Sequence, residues 1–568
     1  MTENKKETKA QRSERLKAAL NPWERLNDIR RFAREGYGAI PQEWLTTYFR
    51  WWGIYTQGDG AGALGGAGGE GKSVPYFMVR IRIPNGVVRS DQLRAVASLA
   101  ERYGRGRADI TVRQNIQLHW ITTEALPEVI DALIASDLTT LAACGDDTRN
   151  VTGCPLAGLD GESLCDASSL AVIATNSLIG NSEFYNLPRK FKISITGCRA
   201  WCSYPEINDV ALTATERHTK NGSEIGFSLR VGGGLSTEPH LATRLNAFVR
   251  WNQVLPVLRG VAELFRDSRA LRESRERARL KYLFLRHGYT AESFLSELHD
   301  RIGFQLDPAE QEFIPADVFR DHVGIHPQTD TSLRYVGASI LSGRVTAEQL
   351  RAAAVLADRF ASGELRTTTM QNLIVVNVPA AKAGALAGEL EQLGFRVGGS
   401  PFWRGAVACT GTEFCKLAIT ETKAFTRWVV SELDERLPGF DQQLRLNVTG
   451  CPNSCGQHWI ADVGIEGKKI KKDGRLLDAY YFCLGGAVGQ YQSVARPIGF
   501  RCPAVEVPDA LERLLRRYLE RRLGNENLRQ FFARYSDDEL RSFLAGTGPV
   551  EFAQRDDSPG RVPHGIEG

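Results

Sequence analysis

At 568 residues the chain is too long for a single hydrophobic core, so roughly two to four domains are expected. Its 42% hydrophobic and 24% charged content is that of an ordinary globular protein, and a formal net charge of +4 is too weak to imply a nucleic-acid partner. Eleven cysteines exclude a disulfide scaffold at this length and point to a reducing compartment; with a polar N-terminus from Met1 to Ala18 and no apolar run long enough to span a bilayer, a cytoplasmic protein without membrane contact is expected.

Residues 1–55 form an N-terminal segment, helical and aromatic from residue 19 on (Trp23, Trp44, Phe49, Trp51, Trp52), that is expected to wrap the core. Gly58 to Gly71 is so rich in glycine and alanine that it reads as a mobile loop. Its Gly-x-Gly elements lack the preceding strand and following helix of a dinucleotide site. In Tyr76 to Pro84, period-two alternation sends Phe77, Val79, Ile81 and Ile83 to one face and Arg80 and Arg82 to the other. Read as one strand, Ile110 to Trp120 places Ile110, Val112, Ile116, Leu118 and Trp120 opposite Arg113, Asn115, Gln117 and His119. In Arg189 to Thr196, Lys190 and Lys192 project together, away from Phe191, Ile193 and Ile195. A solvated sheet face accounts for any one of these strands. Three of them beside a tight cysteine lobe favour a basic cavity for an anionic substrate or a polycarboxylate cofactor. The run from Arg272 to Lys281 reads as an exposed helix face laced with Glu–Arg pairs, from which only Lys281 is kept as a ligand for cofactor carboxylates.

The chain repeats itself. A helix from Ser90, read as serine-capped, matches one from Ala347, where Thr346 and Gln349 are placed as a capping box. Gln92-Leu93-Arg94-Ala95 falls on Gln349-Leu350-Arg351-Ala352 at an offset of 257, and the same offset carries Gln114-Asn115 onto Gln371-Asn372. Ile195-Thr196-Gly197-Cys198 with Cys202 matches Val448-Thr449-Gly450-Cys451 with Cys455 at an offset of 253, which also carries Gly232-Gly233 onto Gly485-Gly486. A period this long is a duplication of large units, not a solenoid. The expected class is therefore α+β, each repeat holding a helix-and-strand lobe and a second lobe about a pseudo-twofold axis. After about Ala545, Pro and Gly with scattered charge predict a frayed tail over 546–568.

Four cysteines stand in two close pairs, Cys409-x5-Cys415 and Cys451-x3-Cys455. Converging thiolates are what a metal or iron–sulfur centre requires. Five residues between paired cysteines is wide for structural zinc, and a set of small buried hydrophobes is the bland alternative. Gly411, Gly450, Pro452 and Gly456 let the backbone fold tightly around an inorganic core.

These cysteines, with Phe77-Met-Val-Arg80, Arg113-Gln-Asn-x-Gln117, Thr148-Arg149-Asn150 and Leu187-Pro-Arg-Lys190-Phe-Lys192, closely resemble the siroheme-containing nitrite and sulfite reductases of the ferredoxin-dependent type, from about residue 20 to about 545. The resemblance implies a duplicated protein: ferredoxin-like half-domains at 73–140 and 331–398, a siroheme-binding lobe at 141–330, and a siroheme and 4Fe–4S lobe at 399–545. It implies that Cys409, Cys415, Cys451 and Cys455 hold a 4Fe–4S cluster, with Cys455 bridging it to siroheme iron. Arg80, Arg149, Lys190 and Lys192 match anion-binding and proton-supplying residues, while Arg113, Asn115 and Gln117 fall on the motif that holds siroheme carboxylates. Tyr55-Thr56-Gln57 and Cys144-Gly145-Asp146 match motifs whose tyrosine and cysteine pair beside the haem in some sulfite reductases. Cys198 and Cys202 lack a second Cys-x5-Cys partner near Cys154 and read as a relic of duplication without metal. Lys192, where plant-type nitrite reductases carry asparagine, favours sulfite reduction to sulfide over nitrite reduction to ammonia. No flavin or nicotinamide module is visible, so ferredoxin or a separate flavoprotein is the expected donor, to a monomer. A haem-free iron–sulfur electron carrier is the remote alternative, and an absorption spectrum separates the two.

Overall fold

The computed structural model describes residues 7–58, 73–220, 222–316 and 320–547; most of the Gly58–Gly71 loop and of the expected tail lies outside the described residues. The duplication is visible as two kinds of sheet, each present twice. One antiparallel sheet runs Ile54–Gly58, Ser73–Ile81, Ile116–Ile121, Arg107–Ile110 and Arg344–Thr346. Its counterpart runs Gly324–Pro327, Leu333–Ala338, Leu373–Pro379, Glu364–Thr367 and Val87–Arg89. The last strand of each belongs to the other repeat. Val88 pairs with Leu365 and Val345 pairs with Ala108, the same register displaced by 257. Each half-domain thus completes its partner's sheet and covers its edge.

The sequence echoes account for this exchange. Gln114 donates to the carbonyl of Thr367 (3.1 Å), and Gln371 donates to that of Ile110 (3.0 Å). Asn115 accepts from the Ile83 amide (3.3 Å), and Asn372 from the Ile340 amide (3.0 Å). Both glutamines have positive φ, 59° and 64°, so each sits in a tight turn that aims its amide across the axis. That turn divides the expected single strand Ile110–Trp120 in two: Ile110, Ile116 and Leu118 reach the core and Val112 does not. Helices Ser90–Tyr103 and Ala347–Phe360 pack against each other across the axis. Thr346 and Gln349 form the expected capping box. Ser90 is not a cap; it is the first helical residue, its hydroxyl bonded to Asp358 (2.5 Å), while Gln92 closes on the Arg89 amide (3.0 Å). Phe77, Val79, Ile81 and Ile83 enter one core shared by both half-domains, and Trp44, Phe49 and Trp52 of the N-terminal segment pack on it.

The two lobes carry the second kind of sheet. The first is Ile193–Thr196, Val210–Thr219, Gly222–Val231 and Thr243–Val249. The second is Ala406–Ala408, Leu446–Thr449, Val463–Lys472, Arg475–Leu484 and Arg496–Pro503. From Ile193 to Val231 each strand start maps onto its counterpart at an offset of 253. In both lobes a parallel strand is followed within two residues by a cysteine: Ile193–Thr196 by Cys198 in the first, and Ala406–Ala408 by Cys409 and Leu446–Thr449 by Cys451 in the second.

Candidate functional site

Strands Ala406–Ala408 and Leu446–Thr449 run parallel, Ala408 beside Val448. The next residues, Cys409 and then Gly450-Cys451, therefore leave the sheet side by side, and the Cys409 sulfur accepts the Gly450 amide hydrogen (3.2 Å). Small residues are required here: a Cβ on Gly456 would lie 2.2 Å from the Val448 carbonyl oxygen, and one on Gly450 2.8 Å from that of Thr420. Cys451 is buried, Cys409 and Cys415 are half-buried, and Cys455 is exposed. Burial, then the neighbouring Cys455 and Cys409, pushes the Cys415 thiol up to about 12, and the same causes raise Cys451. These thiols interact, yet they do not form a single-ion site. Among the described residues the one group with ligand atoms mutually within 4.8 Å is Cys154, Cys202 and His322, in the other lobe. Four cysteines spread wider than one ion can bridge, around glycine-packed turns, fit a cubane cluster.

Cations converge on the exposed thiol. Lys190 and Lys192 leave the strand edge on one side while Phe191, Ile193 and Ile195 enter the core, as alternation predicts. Burial, then Arg279 and Arg189, brings the Lys190 ammonium down to about 7, and the Cys455 sulfur pulls the other way. Burial, Arg113, Arg279 and Lys190 depress Lys192 further. Arg113 is lowered to about 9 by burial, with Arg149, Arg279 and Arg80 adding repulsion. Neither lysine ammonium has an ion-pair or hydrogen-bond partner among the described residues. Arg113 donates to Asn208 (2.8 Å) and to the Asn150 carbonyl (2.6 Å), but its buried Nε has no partner. Mutually repelling, partly unpaired, half-buried cations fit a carboxylate-rich macrocycle and a small anion.

Around this cavity the remaining expected residues divide. Arg80 sits directly across from Gln117 in the sheet. With its amide turned to satisfy both contacts, Gln117 accepts from Arg80 Nε (3.3 Å) and Nη2 (2.8 Å). Arg80 also donates to the Cys144 sulfur (3.0 Å) and lies 5.8 Å from the Tyr55 ring centre, so Tyr55 and Cys144 share its surroundings. Arg149 donates to the carbonyls of Gly145 (2.9 Å) and Ala143 (3.2 Å). Asn115 has the fold role described above, matched by Asn372. Lys281 is fully buried, and its ammonium donates to the carbonyls of Leu235 (2.9 Å) and Glu238.

The segment around Lys281 is a correction. It is not an exposed helix but a chain of turns between two short helices, Ala270–Arg272 and Tyr282–Arg286. Arg272 pairs with Glu14, Arg275 with Asp146, and Arg279 bidentately with Asp209 (3.0 and 2.8 Å). Asp146 also faces Arg189 (3.1 Å) and the buried Lys17 (3.8 Å). Against the upward pull of its burial, these three cations hold its carboxyl far below the usual range. Arg279, beside Lys190, Lys192 and Arg113, and its partner Asp209 were not among the expected residues; the arginine-rich run hid Arg279 among its surface-like neighbours.

The comparisons agree with this geometry. The nitrite and sulphite reductase 4Fe-4S domain model matches residues 144–306 and 399–546, and the nitrite/sulfite reductase ferredoxin-like half domain model matches 70–136 and 326–393. The chain belongs to the nitrite/sulfite reductase family, an oxidoreductase family that uses siroheme and a 4Fe–4S cluster. It is 35% identical to the assimilatory ferredoxin-dependent nitrite reductase of Haloferax mediterranei, over 92% of this chain and 91% of that one. It is 34% identical to the ferredoxin sulfite reductase 2 of Mycolicibacterium paratuberculosis, over 92% and 94%. The solved structure of the Mycobacterium tuberculosis NirA protein superposes with a TM-score of 0.87 at 34% identity, covering 93% of this chain and 97% of that one. Among the described residues no helix is long and apolar enough to cross a membrane.

Proposed function

We propose that this chain is a ferredoxin-dependent sulfite reductase that converts sulfite to sulfide. The observation that carries the reading is the pair Lys190 and Lys192, close enough to repel each other, with Lys190 beside the exposed Cys455 and Arg149 and Lys192 beside Arg113. Siroheme joined to a 4Fe–4S cluster supplies electrons one at a time to an anion bound there. Cys409, Cys415, Cys451 and Cys455 would hold the cluster, and Cys455, the exposed one, would serve the siroheme as well. Arg113 and Gln117 would hold siroheme carboxylates, Gln117 also fixing Arg80. Arg80, Arg149, Lys190 and Lys192 bind the anion, stabilise the charge that accumulates on it and hand on protons. Six electrons and six protons turn sulfite into sulfide and three waters, so a cavity of several proton-bearing cations suits the demand.

Similarity to relatives does not decide the anion, because nitrite and sulfite reductases match about equally. Nitrite reduction to ammonia is the second reading, favoured by the 38% identity to the ferredoxin–nitrite reductase of Synechococcus elongatus. The test is kcat/KM of the purified holoenzyme for each anion with reduced ferredoxin; a clear preference for nitrite would overturn the sulfite assignment. The eleven unpaired cysteines support a cytoplasmic setting, and a monomer is proposed with it. A Tyr55–Cys144 thioether is also proposed, from their common contact with Arg80, its formation passing two electrons and two protons to an external oxidant such as dioxygen. Peptide mass spectrometry of active enzyme should find the joined peptides two hydrogens lighter than their sum, and free peptides alone would exclude the link.

A further inference from the structure

The first lobe contains a second gathering of thiols. Cys198 and Cys202 stand where Cys451 and Cys455 stand in the second lobe, at the same offset of 253. Cys154 follows the segment that bridges Thr152 to Ser194, as Cys409 follows the strand beside Leu446–Thr449. Three of the four cluster positions thus have cysteine counterparts. The fourth is supplied from elsewhere: His322 enters just before strand Gly324–Pro327 of the second half-domain. Ligand atoms of Cys154, Cys202 and His322 lie within 4.8 Å of one another, and Cys198 lies within hydrogen-bonding reach of both cysteines. All four residues are at least nine-tenths buried, beside Leu156, Ile374 and Val376.

Two observations point to a ligand. Both nitrogens of the His322 imidazole are buried without a hydrogen-bond partner, an arrangement that native interiors avoid. Separately, the thiols already receive backbone hydrogens: Leu156 donates to Cys154 (3.4 Å) and Ala200 to Cys198 (3.2 Å). Such bonds favour thiolate. Arg320, itself paired with Asp160 (2.8 Å), lies beside Cys198 and Cys202 and offsets surplus negative charge.

We propose that Cys154, Cys198, Cys202 and His322 form a structural zinc site. The separations among Cys154, Cys202 and His322 suit one ion and are too tight for a cubane, Cys198 reaches both sulfurs and would complete the set, and three sulfurs with one imidazole are a common zinc set. Binding displaces the remaining thiol protons, so three thiolates and a neutral imidazole around Zn²⁺ carry one net negative charge, which Arg320 meets. The ion would pin the first lobe to the second half-domain, joining the repeats. This replaces the reading of Cys198 and Cys202 as a relic without metal.

The holoenzyme, purified from zinc-supplemented culture, should contain about one zinc per chain beside its full iron, by elemental mass spectrometry. Zinc-edge X-ray absorption should give a sulfur shell at about 2.3 Å and a nitrogen at about 2.0 Å. Cys202→Ser and His322→Ala should each lose the zinc at least about tenfold while keeping iron per chain. If the variants fail to fold, the absorption spectrum of the unaltered enzyme decides alone. Fully iron-loaded enzyme that holds no zinc, a zinc shell of oxygen and nitrogen only, or a disulfide among Cys154, Cys198 and Cys202 in peptide maps would each overturn the proposal. Loss of iron with zinc in Cys202→Ser would overturn it too, by making these thiols part of the redox centre. Zinc content does not depend on whether sulfite or nitrite is the substrate.

Discussion

The two repeats share a backbone and divide the chemistry. Arg80, Arg113 and Lys190 in the first repeat correspond, at their offsets of 257 and 253, to Gly337, Met370 and Gln443 in the second. Lys192 is the exception, its counterpart being Arg445, so the second repeat keeps a cation at one of these four positions. Cysteines lie at the strand ends of both, but in the second lobe they are spread and one is exposed, while in the first they are close-packed, buried and joined by an imidazole. The pseudo-twofold is kept by polar locks that appear twice, Gln114 with Gln371 and Asn115 with Asn372. A duplicated frame needs its symmetric contacts only to hold together, and that leaves the remaining positions free to diverge into an anion site and a cluster site facing each other.

The sharpest way to break that comparison is to remove one thiol from each lobe. Cys455→Ser should abolish turnover and disturb both cofactors, because one sulfur is proposed to serve both. Normal haem bands and normal turnover in that variant would show that the bridging assignment is wrong. The double variant Cys198→Ser with Cys202→Ser should leave iron content unchanged, since its sulfurs lie in the other lobe.

Next in size is the ion cluster under the cavity wall. Asp146→Asn leaves Lys17, Arg189 and Arg275 facing one another in the interior, and losing one partner of a buried network costs about 3–5 kcal/mol. Arg94→Ala, which breaks the exposed Arg94–Asp358 pair across the helices, should cost only about 0–1 kcal/mol. Thermal midpoints compare the two. Equal shifts would mean that Asp146 is not structurally needed. The Asp146 contribution is also acid-labile: its carboxyl is held low in the fold, so the stability is present above the unfolded value of about 3.9 and is lost as pH falls toward the folded one.

What was readable in the sequence followed from periodicity and repetition. Alternation put Lys190 and Lys192 together because a pleated edge allows nothing else once Phe191, Ile193 and Ile195 are buried. The constant offsets disclosed the duplication, but not the strand exchange: Val87–Arg89 and Arg344–Thr346 are three residues each and pair with the far repeat. Arg113 was counted in a strand because the turn at Gln114 rests on a positive φ that no residue type there announces. Arg279 was passed over because a charged run looks the same whether its partners are solvent or distant carboxylates such as Asp209 and Asp146. His322 carried no signal at all, since its cysteine neighbours lie more than a hundred residues away.

The choice of anion tests the cationic repeat more finely. At neutral pH sulfite carries more negative charge than nitrite and must shed more oxygen as water. A second ammonium should therefore favour sulfite by about 1–3 kcal/mol, the size of a charge-assisted hydrogen bond. Lys192→Asn should lower kcat/KM for sulfite and spare or raise that for nitrite. Equal losses on both would mean that Lys192 only neutralises a cofactor carboxylate and marks no substrate.

The smallest effect concerns the proton on Lys190. Burial and the neighbouring Arg279 and Arg189 bring its ammonium down to about 7 in the free enzyme, so above that pH the group is increasingly neutral. An anion beside it favours the charged form and raises the value in the complex, so binding takes up a proton on the alkaline side. Since kcat/KM reports groups of the free enzyme, it should fall as pH rises through about 7, by up to roughly tenfold per unit. Nitrite is the cleaner probe, because it keeps one charge across this range while sulfite changes its own. Lys190→Arg supplies a guanidinium that stays protonated past about pH 12, so its profile should be flatter even where misplacement lowers the whole curve. A nitrite profile that is flat from about pH 6 to about 9 in the unaltered enzyme would mean that Lys190 does not meet the anion through its charge.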